Sequence, residues 1–159
     1  MGETGFTNGF TAGYTAGRRS VEMPTRMNAV VEAGTPTRAH DTDAGLDLYA
    51  KESCWIFPKC HKVIGTGFHC AIPSGWVGML TSKSGLMARG LTSRGTIDCG
   101  YTGEIKAVLF NHSWKFVHIK KGQKITQLVL MPIATPYLDV VDSLEDTERA
   151  GNGFGSTGL

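Results

Sequence analysis

Ala44-Gly45-Leu46-Asp47-Leu48-Tyr49-Ala50 sets one carboxylate inside an otherwise apolar run. A charge buried there needs a partner, so Asp47 is either hydrogen-bonded structurally or faces a cation. Ser82-Lys83-Ser84-Gly85-Leu86 places an ammonium, two hydroxyls and a glycine at an expected helix start, which suits an anion, although an ordinary cap has the same composition. Gly95-Thr96-Ile97-Asp98-Cys99-Gly100-Tyr101-Thr102-Gly103-Glu104 reads as a glycine-flanked hairpin carrying an acid and an aromatic ring, and turn chemistry alone explains much of it. Gln127 is a single amide among apolar residues in Gly122-Gln123-Lys124-Ile125-Thr126-Gln127-Leu128. Arg149-Ala150-Gly151-Asn152-Gly153-Phe154-Gly155-Ser156-Thr157-Gly158 is either a flexible tail or a closing device. As chemistry it offers backbone amides, two hydroxyls and a guanidinium for phosphate, with one ring for a base.

These residues need a scaffold, and from residue 27 onward the sequence alternates short strand-like runs with turns. Strands are expected over 29–31, 46–50, 55–57, 63–72, 76–81, 104–110, 116–119, 125–132 and 138–141. Ile72-Pro73-Ser74-Gly75, Asn111-His112-Ser113 and Lys121-Gly122-Gln123 punctuate them. A short helix is expected only over 84–89. Many short strands at this spacing argue for a closed or two-sheet β architecture.

At 159 residues the chain suits one domain with a modest tail, and its apolar share of 41% can build a core. No apolar run approaches the ~20 residues of a membrane span. The opening residues lack a basic patch and apolar stretch, so a soluble cytoplasmic protein without membrane contact is expected. A net charge of +2 is too small to argue for nucleic acid as a partner. The four cysteines are expected as buried or half-buried free thiols. Cys60-His61 and His69-Cys70 lack the spacing of structural zinc sites. Gly5-Phe6-Thr7-Asn8, Gly9-Phe10-Thr11-Ala12 and Gly13-Tyr14-Thr15-Ala16 form a repeat whose rings would share one helical face. Gly and Thr are poor helix formers, so this stretch is expected to be a mobile arm, with an unknown protein partner as the alternative.

Taken together, in order and spacing, the five segments resemble the motifs of the homotrimeric dUTPases. The Asp98 hairpin and the Gly-Phe-Gly-Ser-Thr-Gly ending are the most specific parts. The resemblance implies an all-β, jelly-roll-like subunit of a homotrimer that hydrolyses dUTP to dUMP and pyrophosphate with Mg²⁺. It implies Asp98 as the general base activating a water for attack on the α-phosphorus, and Asp47 as a ligand to Mg²⁺ through water. Lys83, Ser84, Gly85 and Gln127 would contact phosphates, and Tyr101 would pack under the deoxyribose. Backbone groups of Gly95, Thr96, Ile97 and Asp98 would read the uracil edge, with Lys106 nearby. Phe154 would stack on the base while Arg149, Gly155, Ser156 and Thr157 close over the phosphates. The family also implies that the first, second and fourth motifs of a site come from one subunit, the third from another and the tail from a third.

Three positions depart from the family pattern. Lys83 stands where arginine is usual, losing the bidentate fork but not the charge, and Ala150 and Asn152 replace glycines of the last motif. The implied layout is an N-terminal arm over 1–26, a β domain over 27–147 and a closing arm over 148–159. A dCTP deaminase, or a bifunctional relative, on the same fold is the nearest rival, disfavoured by the complete Gly-Phe-Gly-Ser-Thr-Gly ending and the Asp98/Tyr101 hairpin. A non-enzymatic regulator is disfavoured by the presence of Asp47, Asp98 and Tyr101.

Overall fold

In the computed structural model, which describes residues 26–145, the alternating segments form strands that pair almost entirely antiparallel. They are β1 (Ala29–Val31), β2 (Gly45–Tyr49), β3 (Cys54–Ile56), β4 (His61–Gly65), β5 (Phe68–Cys70), β6 (Trp76–Thr81), β7 (Leu91–Ile97), β8 (Lys106–Asn111), β9 (Val117–Ile119) and β10 (Lys124–Pro132). One helical turn, α1 (Ser84–Met87), stands between β6 and β7. Six strands make the main sheet in the order β2-β10-β6-β7-β8-β4, while β1-β5 and β3-β9 form two-stranded sheets. Few sequence neighbours pair, so the chain crosses repeatedly between sheets, as a jelly-roll-like all-β fold requires. The arm repeat and the last motif lie outside the described residues.

Two buried clusters fill the interior. One gathers Leu48, Phe68, Trp76, Leu80, Ile105 and Leu128, and the other Ile56, Leu91, Leu109, Ile119 and Ile125. The main sheet contributes to both, and β7 and β10 each place residues in the two clusters, stabilised by ~25 cal/mol for each Å² of apolar surface removed from water.

Most expected elements occur, and the departures have local causes. The single strand expected over 63–72 is two, β4 and β5. Between them Gly67 takes a φ of +63°, and the buried Thr66 hydroxyl donates to the carbonyl of Ile105 at 2.5 Å. β7 was not foreseen, because Thr92-Ser93-Arg94-Gly95-Thr96 carries no apolar alternation. The helix expected over 84–89 shrinks to one turn, with Lys83 at its N-cap and no side-chain cap. Residues 138–141 form no strand; Leu138 and Val140 are 89% and 97% exposed. Cys70 is buried and Cys54 half-buried as expected, but Cys60 and Cys99 sit exposed in turns. All four thiols are free, and burial pushes that of Cys70 up to about 11.

Asn111, buried at the end of β8, ties the β3-β9 sheet to the main one. Its amide donates to the carbonyls of Lys115 at 2.8 Å, Phe57 at 3.1 Å and Ile56 at 3.3 Å. Its own carbonyl accepts from the Ser113 amide and hydroxyl at 3.0 and 2.7 Å. Asn111→Leu strands these groups without solvent and should destabilise the protein by ~2–4 kcal/mol in urea unfolding, and Asn111→Asp, which keeps the acceptor but turns an oxygen toward the three carbonyls, should not restore the loss.

Candidate active site

Strand register assembles the first part of the site. Asp47 on β2 lies opposite Gln127 on β10, which in turn lies opposite Thr81 on β6. Directly opposed residues point to the same face, so carboxylate, amide and hydroxyl form one row. Asp47 is only 6% exposed, and two lysines answer its charge. Lys83, just after β6, donates to one carboxylate oxygen, and Lys124 reaches the other at 2.9 Å. Burial works to raise the Asp47 pKa, but the hydrogen bonds and charges of Lys83 and Lys124 outweigh it and hold the group below its usual range.

Lys124 has no place in the motif reading, and a β-bulge explains why. Simple alternation puts Lys124 on the same face as Thr126, away from Gln127. The ladder skips Ile125, pairing Lys124 with Tyr49 and Thr126 with Leu48, and this carries Lys124 round to the Asp47 face. The detectable signal was the acid itself: a buried carboxylate calls for a cation somewhere.

Hydroxyls fix Lys83 from below. Ser82 Oγ donates to the carbonyl of Ser93 at 2.9 Å and accepts from its amide at 2.7 Å. Ser93 Oγ donates to Thr126 Oγ1 at 3.1 Å, which donates to the carbonyl of Thr81 at 3.0 Å. These bonds lock the end of β6 to β7 and β10, so the loop leaving Thr81 delivers Lys83, Ser84 and Gly85 beside Asp47. Ser84 and Gly85 are exposed, with open space above the Gly85 Cα. A single turn adds little dipole, so an anion there would rest on the amide donors and the ammonium.

The third motif lies elsewhere. β7 changes partner midway: Leu91, Thr92 and Ser93 pair with β8, whereas Arg94, Gly95, Thr96 and Ile97 pair with β6. The β7-β8 hairpin therefore splays open, and the Gly95–Ile97 backbone has no ladder on its β8 side. Asp98 follows, exposed, in a turn closed by the Tyr101 amide bonding the Asp98 carbonyl at 3.0 Å. Tyr101, 45% exposed, folds back so that its hydroxyl donates to the carbonyl of Glu104 at 2.9 Å. Only glycine permits this at 103, since a Cβ there would fall 2.5 Å from the Tyr101 oxygen. Lys106 is exposed at the mouth of the splay, with Nζ 3.9 Å from the Glu104 carboxylate. The row Asp47–Gln127–Thr81 ends at Arg94, four residues before Asp98, so the two clusters stand ~13 Å apart along the strand.

A family model for dUTPase matches residues 32–158. The chain belongs to the dUTPase family. Among its relatives, deoxyuridine 5'-triphosphate nucleotidohydrolase of Clostridium kluyveri is 46% identical over 131 residues, covering 80% of this chain and 92% of the relative. The enzyme of the same name from Saccharomyces cerevisiae is 40% identical over 129 residues, covering 79% and 88%. A Staphylococcus bacteriophage 80alpha dUTPase variant solved with dUpNHpp superposes with a TM-score of 0.80 at 31% identity, covering 86% of this chain and all of that one. A phage phi11 dUTPase variant, described with a coordinated structural Mg(II) ion, gives a TM-score of 0.70 at 30% identity, covering 76% of this chain and 99% of its own. The protein is thus a dUTP-hydrolysing enzyme of nucleotide metabolism with the dUTPase β fold.

Within this dUTPase the structure brings together Asp47, Lys83, Ser84, Gly85 and Gln127, and separately Gly95, Thr96, Ile97, Asp98, Tyr101 and Lys106. Arg149, Phe154, Gly155, Ser156 and Thr157 lie outside the described residues. Among the described residues no three His, Cys, Asp or Glu side chains gather to hold a metal ion. Mg²⁺ needs no such cage, since it is commonly held by few carboxylates and completed by phosphates and water. The row fits an ion bound in that way.

The Asp47 pair makes a pH-dependent contribution. Because folded Asp47 releases its proton more readily than its ordinary value of 3.8, its stabilisation is complete above that pH and is lost as pH falls through the lower folded-state value. In ligand-free protein, Asp47→Asn should lower stability by ~1–3 kcal/mol at pH 7. The gap in urea midpoint between variant and wild type should close as acid protonates the wild-type carboxylate; a gap unchanged down to pH ~3 would mean that the lysines do not hold Asp47 ionised.

Proposed function

We propose that the protein converts dUTP to dUMP and pyrophosphate with Mg²⁺, by attack on the α-phosphorus of a water that Asp98 orients and deprotonates. What carries the reading is the separation of two complementary half-sites on one chain, a phosphate-facing row at one end of β6 and an open hairpin bearing an acid and a ring at the other. Bound Mg²⁺ neutralises phosphate charge and polarises the α-phosphorus. The chain's own groups do the rest. Lys83 supplies a positive charge and Ser84, Gly85 and Gln127 supply donors to the phosphate oxygens, while Asp47 would hold Mg²⁺ through water.

The unpaired edge of β7 supports base reading by backbone groups around Gly95–Ile97. A rigid edge of this kind rejects cytosine by mismatched donors and acceptors and thymine by its methyl group. Tyr101 is held by its bond to Glu104, so its ring can pack against a deoxyribose and exclude a 2′-hydroxyl. Residues 148–159 act as the closing arm, Phe154 stacking on uracil and Arg149, Gly155, Ser156 and Thr157 covering the phosphates.

Half-sites ~13 Å apart keep Asp98 of one chain from aiming a water at a phosphate whose metal ion the same chain's Asp47 would hold. This favours a homotrimer whose sites combine subunits. Assembly is further supported by the wholly exposed Tyr137, Leu138, Val140 and Leu144, which no water-facing monomer needs. The four free thiols support a reducing, cytoplasmic setting.

With Mg²⁺, pyrophosphate release from dUTP should far exceed that from dTTP, dCTP or UTP, and comparable UTP turnover would remove the sugar-packing role of Tyr101. Asp98→Asn should still bind nucleotide while kcat falls at least ~10²-fold. The shared site is tested by mixing Asp98→Asn with a chain truncated after Glu148, each nearly inactive alone. Random trimers formed by co-refolding should recover about a quarter of wild-type activity, because about three quarters are mixed and each holds one competent site in three. No recovery in trimers proved mixed by native mass spectrometry would place base and arm on one chain.

A further inference from the structure

Beyond the α1 turn, the β3-β9 sheet presents rings to solvent where polar side chains would serve. Trp55 on β3 is 56% exposed, and its ring lies 4.6 Å from that of His118 on β9. Phe116, 60% exposed, meets Phe57 edge-on at 5.2 Å. Trp114 is 81% exposed yet propped: Lys59 lies 4.5 Å over its ring and donates to the carbonyl of His112 at 2.6 Å. A groove of about 790 Å³ joins Trp55, Trp114, Phe116 and His118 to Arg89 and Lys115, and no acid lines it. None of these side chains belongs to the five motifs.

The charge around the groove is as one-sided as its lining. Arg89 and Lys115 line it, Lys59 stands over the Trp114 ring, and no Asp or Glu is among its lining residues. A net charge of +2, summed over the whole chain, does not register this local excess. Spaced, pre-positioned rings among cations fit alternating bases and phosphates: every base offers a π-face, and every phosphate a charge that lysine and arginine attract. A partner protein would use the rings but has no need of a groove whose lining carries cations and no acid.

We propose that this groove binds single-stranded nucleic acid, its rings stacking bases and Arg89 and Lys115 meeting phosphates, independently of dUTP hydrolysis.

The test titrates the full chain into fluorescein-labelled dT20 at 50 mM salt, following anisotropy and tryptophan emission. Saturable binding is expected, with quenching of Trp55 and Trp114, since Trp76, the remaining tryptophan, is buried. Trp55→Ala/Trp114→Ala should weaken binding at least ~10-fold while dUTP hydrolysis stays at the wild-type rate. Arg89→Gln/Lys115→Gln should flatten the log–log salt slope by ~1.4, and this second pair keeps the test open if the tryptophan variant fails to fold. An rU20 arm tells RNA from DNA, and duplex DNA should bind more weakly because its bases are already stacked. Absence of dT20 binding, or equal binding by both double variants, would overturn the proposal. So would displacement of dT20 by excess dUMP, which would place the strand in the nucleotide site. A drop in native mass on replacing the tryptophans would instead make the groove an interface between copies.

Discussion

A carboxylate in the middle of an apolar strand must be answered by cations, and the way this chain answers Asp47 organises much around it. Leu46 and Leu48 bind β2 into the sheet, so Asp47 cannot move out to water without unpairing the strand. The cations must come to it. Lys124 arrives through a bulge that turns the first residues of β10 by one register step, and Lys83 arrives because Ser82 is bolted to Ser93. In ligand-free protein the lysines satisfy the acid. An ion pair of this type stores little net stability, since desolvation offsets much of the attraction. Its value lies in keeping three charged groups pre-placed in a row that otherwise consists of Gln127 and Thr81.

The same locking explains why the second half-site cannot join the first. The bonds from Ser82 and Thr126 hold Ser93, so β7 is fixed at the point where it leaves β8 for β6. Beyond that point each residue carries the chain farther from the Asp47 row. Asp98 emerges at the opposite end of β6 by construction, and no side-chain rotation closes a gap of ~13 Å. The splay that exposes the Gly95–Ile97 edge and the distance from the phosphate row are thus consequences of one partner switch.

What could be read beforehand follows from which forces leave a mark in residue order. β1 and β6 were legible to the residue, because apolar spacing and flanking turns agree there. β7 is hidden because its buried Ser93 is stabilised by the hydroxyls of Ser82, just after β6, and Thr126 on β10, distant in sequence, and hydropathy counts it as a surface residue. The break at Thr66-Gly67 depends on a side chain bonding Ile105 and a positive φ, neither of which alternation reveals. At 138–141 alternation was present, but no strand pairs with it among the described residues. The site residues were found by their combined pattern rather than one by one. Lys124 escaped because a bulge reverses side-chain parity without changing composition.

Net charge failed in a related way, by averaging over a surface that is not uniform. A polyelectrolyte responds to the local field within about 8–10 Å at physiological salt, not to the sum over the molecule. Acids such as Glu32, Asp43 and Glu104 are engaged by nearby Lys51, His40 and Lys106. Among the described residues Lys59, Arg89 and Lys115 at the β3-β9 face make no ion pair with an acid, so their field is not cancelled where the rings are. Placing Trp55, Trp114 and Phe116 in water forgoes the ~1.5–3 kcal/mol that burial of a large apolar side chain supplies. A sequence that leaves several such rings together in one basic groove has placed them where a ligand, rather than the core, supplies the burial.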